Sequence, residues 1–310
     1  MDQGAVLAVD IGGTTIGAGL IGADGAVHRH REIRTPAAEP RLSEGLRGLL
    51  GALLAGAPPP AAVGLASAGP IDLPAGTVSP VNIPSWRGFR LVEQVAGLVP
   101  DVPVVLVGDG IAAAAGEHWL GAGRGAASML GIVVSTGIGG GLVLNGAPYP
   151  GPSGNAGHLG HTVVDPAGPP CPCGAAGCVE TFASGPSMVR WARERGWTGP
   201  DARALAAAAA RGDATALAAF DRGTGALARA IASTAAVCDL DRVVIGGGVA
   251  AAGPVLLDPL RRHLERIVTL DFIRRTTVRP FALGRNAGLL GAARTALLAC
   301  DRSPADARLT

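Results

Sequence analysis

The chain has 310 residues, enough for one large domain or two lobes, and its 26 basic and 24 acidic residues give a net charge of +2. This balance provides no field that would attract nucleic acid or an anionic membrane, so we expect a small-molecule partner and neither of those. Every one of the 26 basic residues is arginine, which excludes the lysine-containing phosphate loop and Schiff-base chemistry.

The sequence favours neither a membrane-bound nor a secreted protein. The longest uncharged run, residues 125–157, contains a glycine triplet and prolines, so it predicts strands and turns and not a membrane span. No basic region followed by an apolar core precedes Asp10, and we therefore expect a cytoplasmic protein. Its five cysteines are then expected to be thiols or metal ligands.

The first predicted elements are a strand, a glycine turn and a second strand. An apolar run at residues 5–9 leads to Asp10 and the turn 12–15, after which residues 16–21 form the next strand. The pattern then predicts, in order, a helix at 42–54, a buried strand at 62–66, a Pro/Gly-rich loop at 69–86, a strand at 102–107 and, after Asp109, another helix.

A second unit of the same shape follows. Residues 130–134 form a strand that enters the turn 135–141, and the chain leaves it through a strand at 142–144. Because folds are often built by repeating a supersecondary unit, the pair predicts two related lobes that face each other. The remainder predicts two alanine-rich helices within 202–237, a strand at 242–245, glycines at 246–248 and a further helix. This alternation indicates an α/β fold.

Both glycine turns have a composition suited to a polyphosphate. Glycines let the backbone approach a polyanion, hydroxyls add donors, and an aspartate can hold Mg²⁺ through water. The candidates are Asp10, Gly12, Gly13, Thr14 and Thr15 in the first turn, Thr136 and Gly137 in the second, and Gly247 and Gly248, which would let an adenine or ribose lie against bare backbone. The alternatives are a ligand-free β-hairpin for the first turn and a helix-start turn for the last pair.

Asp109 follows an apolar strand and precedes a helix. That position faces the carboxyl end of a parallel sheet, where α/β folds bind their ligands. A carboxylate there could accept a hydrogen bond from a substrate hydroxyl and take its proton during phosphoryl transfer. The alternative is a structural role as the N-cap of the helix.

Three cysteines lie within eight residues, at Cys171, Cys173 and Cys178, and His161 lies ten residues upstream of the first. One nitrogen and three sulfurs form the ligand set of a closed, tetrahedral, structural zinc site. The alternative is a group of unrelated buried thiols. Cys238 and Cys300 are isolated and are expected to be ordinary core or surface thiols.

Taken together, these residues resemble the ROK family of bacterial sugar kinases. The resemblance covers nearly the whole chain, and its motifs are DIGGT from Asp10, SPVNIPSW ending at Trp86, STGIGGG, GHLGHTVVD, CPCGAAGCVE, VVIGGG and LGRNAGLLGAA. It implies a two-lobed, actin-like ATPase fold of the ribonuclease H-like type, with a central cleft and a zinc-bound loop. We expect a small lobe at residues 1–108, completed by a C-terminal helix at 287–305, and a large lobe at 109–286.

The resemblance also implies roles for individual residues. Asp109 would be the catalytic base, the cofactors would be ATP, Mg²⁺ and structural Zn²⁺, and the molecule would be a homodimer. The metal ligands would be His161, Cys171, Cys173 and Cys178, and the residues in contact with the sugar would be Gly69, Asn82, Asp109, His158, His161 and Glu180.

Three positions depart from the pattern of most glucokinases of the family. Gly108 replaces an asparagine, Thr15 replaces a lysine, and His158 replaces the glutamate of GExGH. A neutral histidine offers one donor and one acceptor where a carboxylate accepts two hydrogen bonds, so the hydroxyl pattern of the preferred sugar must differ.

The histidine resembles that of bacterial N-acetylmannosamine kinases, which favours phosphorylation of a hexose or N-acylated hexosamine at its 6-hydroxyl. The alternatives are a glucokinase, a kinase of cyclitols or carbasugars, and a sugar sensor without catalysis. We do not expect a transcription repressor, because only nine residues precede Asp10 and a DNA-binding module needs more.

Overall fold

The computed structural model describes residues 4–36, 39–80 and 83–301. Its strands are β1 (Val6–Ile11), β2 (Thr15–Ile21), β3 (Val27–Arg34), β4 (Val63–Ser67), β5 (Ile71–Asp72), β6 (Thr77–Val78), β7 (Val104–Gly108), β8 (Met129–Val134), β9 (Ile138–Leu144), β10 (Ala147–Tyr149), β11 (Arg242–Gly246) and β12 (Thr277–Pro280). Its helices are α1 (Glu39–Leu54), α2 (Leu91–Ala96), α3 (Asp109–Leu120), α4 (Glu180–Ala183), α5 (Gly185–Arg193), α6 (Ala202–Ala210), α7 (Ala214–Cys238), α8 (Pro254–Ile267), α9 (Asp271–Arg274) and α10 (Ala287–Cys300). Within these residues, no helix is both long enough and apolar enough to cross a bilayer.

The chain forms two compact units with the same sheet topology. The first comprises the described residues of Met1–Gly121, Pro148–Ala156 and Arg285–Thr310, and the second comprises Ala122–Ala147 and Gly157–Gly284. The sheets have the strand orders β3-β2-β1-β4-β7 and β10-β9-β8-β11-β12. In each, one central strand pairs antiparallel with the strand that follows it and parallel with a later strand. The predicted repetition of a strand, turn and strand unit is therefore confirmed.

In the first unit, α10 packs on β1, β4 and α3, while α1 packs on β2 and β3. Glycines allow the closest of these approaches, because a Cβ at Gly64 would collide with the carbonyl of Ala292 in α10. Gly116 of α3 and Gly291 of α10 meet in the same way, each facing backbone of the other helix. The contacts bring α3 and α10 together with no side chain between them.

This contact explains why the unit boundary differs from the predicted one. We expected the second lobe to begin at Asp109, whereas helix α3 belongs to the first unit, which extends to Gly121. The close packing of Gly116 in α3 against Gly291 in α10 holds α3 in the first unit. The predicted C-terminal helix 287–305 is present as α10, which ends at Cys300, and residues 302–305 lie outside the described residues.

The second unit buries β8 and β11 beneath a layer of helices in which α7 packs against α4, α5, α6 and α8. The alanine-rich region contains two helices, as predicted. The side chains of Asp201 and Asp213 cap α6 and α7 by accepting hydrogen bonds from the amides of Ala204 and Ala216, each at 2.8 Å. Gly212, with φ of 89°, provides the break between the helices.

Candidate active site

The first glycine turn joins β1 to β2. The amide of Gly12 donates to the carbonyl of Thr15 at 3.0 Å and closes the turn. Thr35, just after β3, fixes it from the side, because its hydroxyl donates to the carbonyl of Gly12 at 2.7 Å and its amide donates to that of Thr14 at 3.0 Å. Gly13 and Thr14 are exposed at the tip. The turn therefore presents glycine backbone and a hydroxyl on a fixed support.

Asp10 and Asp109 lie at one edge of the first unit's sheet. In the parallel register, Asp10 pairs with Ala66, and the next residue of β4, Ser67, pairs with Gly108. The carboxyl ends of β1, β4 and β7 therefore bring the two aspartates to the same side. Asp109 is exposed and is the first residue of α3, not its N-cap, and its Oδ1 accepts a hydrogen bond of 2.7 Å from the amide of Gly110.

The carboxyl group of Asp10 lies against the Cα of Gly288 in α10. Burial and, as the smaller cause, the negative charge of Asp109 together raise the pKa of Asp10 to about 7. A pair of interacting carboxylates, one of them poorly solvated, is a set of oxygen ligands that suits a hard cation. The donor chemistry of this edge thus fits the predicted magnesium site.

The predicted sugar contacts of the first unit are only partly described. Gly69 is half-buried two residues after β4, and Asn82 lies outside the described residues. Asn155, which the sequence did not single out, holds the start of the loop: its Oδ1 accepts from the amide of Ile71 at 3.0 Å and its Nδ2 donates to the carbonyl of Ile71 at 2.8 Å. A lone asparagine carries no signal in a sequence that would reveal such a bond.

The second glycine turn joins β8 to β9 in the second unit. It is closed by a 2.9 Å hydrogen bond from the amide of Ser135 to the carbonyl of Gly137. The backbone of Gly247, with φ of 95°, lies directly on that of Val134, so a side chain has no room there. The structure therefore places Gly247 and Gly248 beside the second turn, which contains Thr136 and Gly137.

A cavity of about 910 Å³ opens beside this turn in the second unit. Its lining includes Ser135, Thr136, Gly248 and Val249 together with apolar residues. Three arginines and two acids also line it, namely Arg190, Arg193, Arg203, Glu194 and Asp201, so the arginines are in excess by one. A cavity of this size that combines apolar walls with positive charge can accommodate a nucleotide. The first turn belongs to the other unit, so the prediction that both turns hold one triphosphate stays a prediction.

Glu180 begins α4 and is tied to the second turn. Its Oε2 accepts a 2.8 Å hydrogen bond from the amide of Ile138, and a Cβ added to Gly137 would lie 2.7 Å from the same oxygen. The predicted sugar contact therefore lies directly against a predicted phosphate contact. The bond of the carboxylate to the backbone was not foreseen, because side-chain to backbone bonds leave no pattern in the sequence.

His161, Cys171, Cys173 and Cys178 form one cluster, whose ligand atoms all lie within 4.8 Å of one another. The Sγ of Cys171 is 3.6 Å from Nδ1 of His161, and the Sγ atoms of Cys173 and Cys178 are also 3.6 Å apart. Zinc–sulfur bonds of about 2.3 Å place two sulfurs of a tetrahedron about 3.8 Å apart. The donor set and its spacing therefore fit zinc, whereas unrelated buried thiols would not converge.

His158 lies next to this cluster. Its ring is nearly parallel to that of His161, with 6.3 Å between centroids and an interplanar angle of 15°. His161 ends a short 3-10 turn, Leu159–His161, while α4 starts two residues after Cys178. A metal held by His161 and the three cysteines would thus fix the segment that carries His158 and Glu180.

Comparisons with known proteins agree with this arrangement. A family model described as ROK family matches residues 6–298. The N-acetylmannosamine kinase of Escherichia coli O139:H28 is 42% identical over 248 residues, which cover 79% of this chain and 84% of that protein. The glucokinase of Thermotoga maritima is 36% identical over 307 residues, covering 93% and 96%. A ROK family glucokinase from Streptomyces griseus, whose crystal structure contains glucose and AMPPNP, is 31% identical in sequence and has a TM-score of 0.81. The match covers 95% of this chain and 100% of that chain.

Proposed function

We propose, from the premise that the chain belongs to the ROK family, that it is an ATP-dependent carbohydrate kinase. The acceptor is a hydroxyl of a hexose or an N-acylated hexosamine. The observation that carries this proposal is Asp109, an exposed carboxylate that follows a parallel strand at the sheet edge shared with Asp10. That is the place where α/β folds bind ligands.

Asp109 acts as the base in this proposal. Its carboxylate accepts a hydrogen bond from the sugar hydroxyl and takes the proton as the oxygen bonds to the γ-phosphorus of ATP. The bond between that phosphorus and the oxygen bridging to the β-phosphate breaks, and ADP leaves. The products are ADP and a sugar monophosphate, with the proton on Asp109 until it passes to solvent.

The donor is assigned to the glycine turns and the cavity of the second unit. The nucleoside would bind against Gly247, Gly248 and the apolar walls of this cavity. The phosphates would bind to Thr136 and Gly137. Gly12, Gly13, Thr14 and Thr15 are assigned to the phosphates from the first unit. Mg²⁺ supplies charge neutralisation at the phosphates when bound, and Asp10 would hold it through water.

The acceptor is assigned by the residues that depart from the glucokinase pattern. Gly108 offers no side-chain hydrogen bond to the sugar, and His158 replaces two acceptors with one donor and one acceptor. The similarity to an N-acetylmannosamine kinase over 79% of the chain supports that sugar as the first candidate. Its 6-hydroxyl would be phosphorylated, with Gly69, Asn82, His161 and Glu180 as further contacts. Glucose is the second candidate, because a glucokinase matches 93% of the chain.

Zinc is assigned a structural role, with His161, Cys171, Cys173 and Cys178 as its ligands. Four protein ligands leave no open position for a water or substrate, so the metal would not take part in phosphoryl transfer. A homodimer and a cytoplasmic location complete the proposal and rest on the family alone. Light scattering of the purified protein tests the dimer.

A substrate screen tests the proposal. ADP release, measured with a coupled assay, would be compared for N-acetylmannosamine, glucose, N-acetylglucosamine, mannose and a set of cyclitols at saturating Mg·ATP. We expect the highest kcat/KM with N-acetylmannosamine. A preference for glucose or a cyclitol would show that the assignment of the acceptor is wrong while the assignment as a kinase is right. Sugar binding with no ADP release from any compound would indicate a sensor.

A further inference from the structure

Strand β3 lies beside the first glycine turn and brings one arginine to it. In the antiparallel pairing of β2 with β3, Thr15 is directly opposite Arg34. Residues directly opposite each other on antiparallel strands present their side chains on the same face. Both also line a cavity of about 570 Å³ whose other lining residues are Gly13, Thr14, Glu32, Ile33 and Thr35.

The backbone of Arg34 is fixed relative to the turn. Its neighbour Thr35 makes the two hydrogen bonds that reach Gly12 and Thr14, at 2.7 Å and 3.0 Å. The guanidinium itself is exposed and forms no hydrogen bond or ion pair with the part of the chain that the structure describes. The backbone of Arg34 therefore has a fixed position beside the turn, while its guanidinium can bind a ligand in this cavity.

The charges around the cavity also favour this use of Arg34. The sequence has no lysine, and the turn 12–15 offers a polyphosphate only uncharged donors. The acid nearest to Arg34 on the same face of β3 is Glu32, whose carboxylate already has the ring of His30 at 3.7 Å and the guanidinium of Arg285 at 3.9 Å. An arginine that faces glycine backbone and two threonine hydroxyls suits phosphate oxygens, which it can bind with two parallel hydrogen bonds.

We propose that Arg34 is a phosphate-binding residue of the first glycine turn, whose guanidinium contacts terminal phosphate oxygens of the ATP held by residues 12–15. It supplies positive charge from the neighbouring strand to a turn whose own residues carry none. This inference rests on the proposed kinase function, because it assumes a phosphoryl donor at that turn.

Arg34→Ala tests the proposal, with Arg31→Ala as the matched control. Arg31 is an exposed arginine of the same strand but three residues away, so its side chain leaves the opposite face of the sheet. We expect Arg34→Ala to weaken binding of Mg·AMPPNP in calorimetry and to raise the KM for ATP by about 10- to 100-fold. The KM for the sugar and the thermal midpoint should stay unchanged, and Arg31→Ala should match the wild type in all four measurements.

The double variant Thr15→Lys/Arg34→Ala separates a charge effect from a structural one. If position 34 acts through its charge on phosphate, a lysine directly opposite should restore the affinity for Mg·AMPPNP to within about threefold of the wild type. The proposal is overturned if Arg34→Ala binds Mg·AMPPNP as the wild type does, if the lysine restores nothing, or if the wild type binds no nucleotide. A wild type that binds Mg·AMPPNP but phosphorylates no sugar would refute the kinase while calorimetry still decides the role of Arg34.

Discussion

Two exposed aspartates flank strand β7, and only Asp109 stands at its carboxyl end, while Asp101 precedes the strand. Asp109→Asn keeps the shape of the side chain but removes the base, so we expect kcat to fall by about 10²- to 10⁴-fold. The dissociation constants of ATP and sugar should change little. Asp101→Asn is the matched control and should retain full turnover. Steady-state kinetics together with calorimetry check this, and ordinary turnover in Asp109→Asn would reject the assignment.

Asp10 gives a second prediction, on stability. Its pKa is about 7 in the folded chain against an ordinary 3.8, so the folded state binds a proton that the unfolded state releases. The associated stability is present below pH 3.8 and is lost as the pH rises through 7. In the absence of Mg·ATP, Asp10→Asn should therefore be more stable than the wild type at pH 8, by as much as about 4 kcal/mol.

The thermal midpoints of the two proteins at pH 4 and pH 8 check this prediction. The gain in Asp10→Asn should appear at pH 8 and be nearly absent at pH 4, while kinase activity should be lost at both. An equal gain at the two pH values, or none at pH 8, would mean that the buried carboxylate is not the source of the difference.

His158 is exposed beside the zinc cluster and is not one of its ligands. His158→Glu creates the GExGH pattern of glucokinases, and a carboxylate accepts two hydrogen bonds from adjacent hydroxyls. We expect the ratio of kcat/KM for glucose to that for N-acetylmannosamine to rise by at least about 10-fold. His118→Glu, in the last turn of α3, serves as a control and should leave the ratio unchanged. An unchanged ratio in His158→Glu would remove this residue from sugar selection.

Among the elements, the zinc loop carries a prediction of its own. We expect about one zinc per chain by elemental analysis. The Cys171→Ser variant should contain no zinc and should have a lower thermal midpoint than the wild type. Because the loop leads to Glu180, its KM for the sugar should rise by a larger factor than its kcat falls. Cys300→Ser is the matched control, since that exposed thiol lies outside the cluster. Zinc-free protein with an unchanged midpoint and sugar KM would contradict the structural role.

Sequence patterns predicted some of the strands and not others. The strands that enter the glycine turns could be predicted, because β1 and β8 are apolar runs buried in the centre of their sheets. Strand β3 was missed: VHRHREIR has no apolar alternation, and seven of its eight residues are exposed. It pairs with β2 at the edge of the sheet, and α1 packs against it.

At the scale of the whole molecule, the sequence revealed the repeat but not the extent of the units. Two turns of like composition were enough to predict two related lobes. The position of α3 depends instead on glycine contacts between Gly116 and Gly291, which are 175 residues apart (291 − 116) and follow no local pattern. Cysteine spacing predicted the convergence of His161 with three thiols, whereas the bonds of Asn155 and Glu180 to backbone amides follow no sequence pattern.

Phosphorus NMR of a reaction containing N-acetylmannosamine, Mg²⁺ and ATP tests the central claim most directly. We expect a sugar phosphomonoester and ADP to appear in equal amounts, with no inorganic phosphate beyond the background, and both products to form at least about 100-fold more slowly with Asp109→Asn. The formation of ADP with inorganic phosphate alone, or no turnover with any sugar of the panel, would contradict the account of this protein as a carbohydrate kinase.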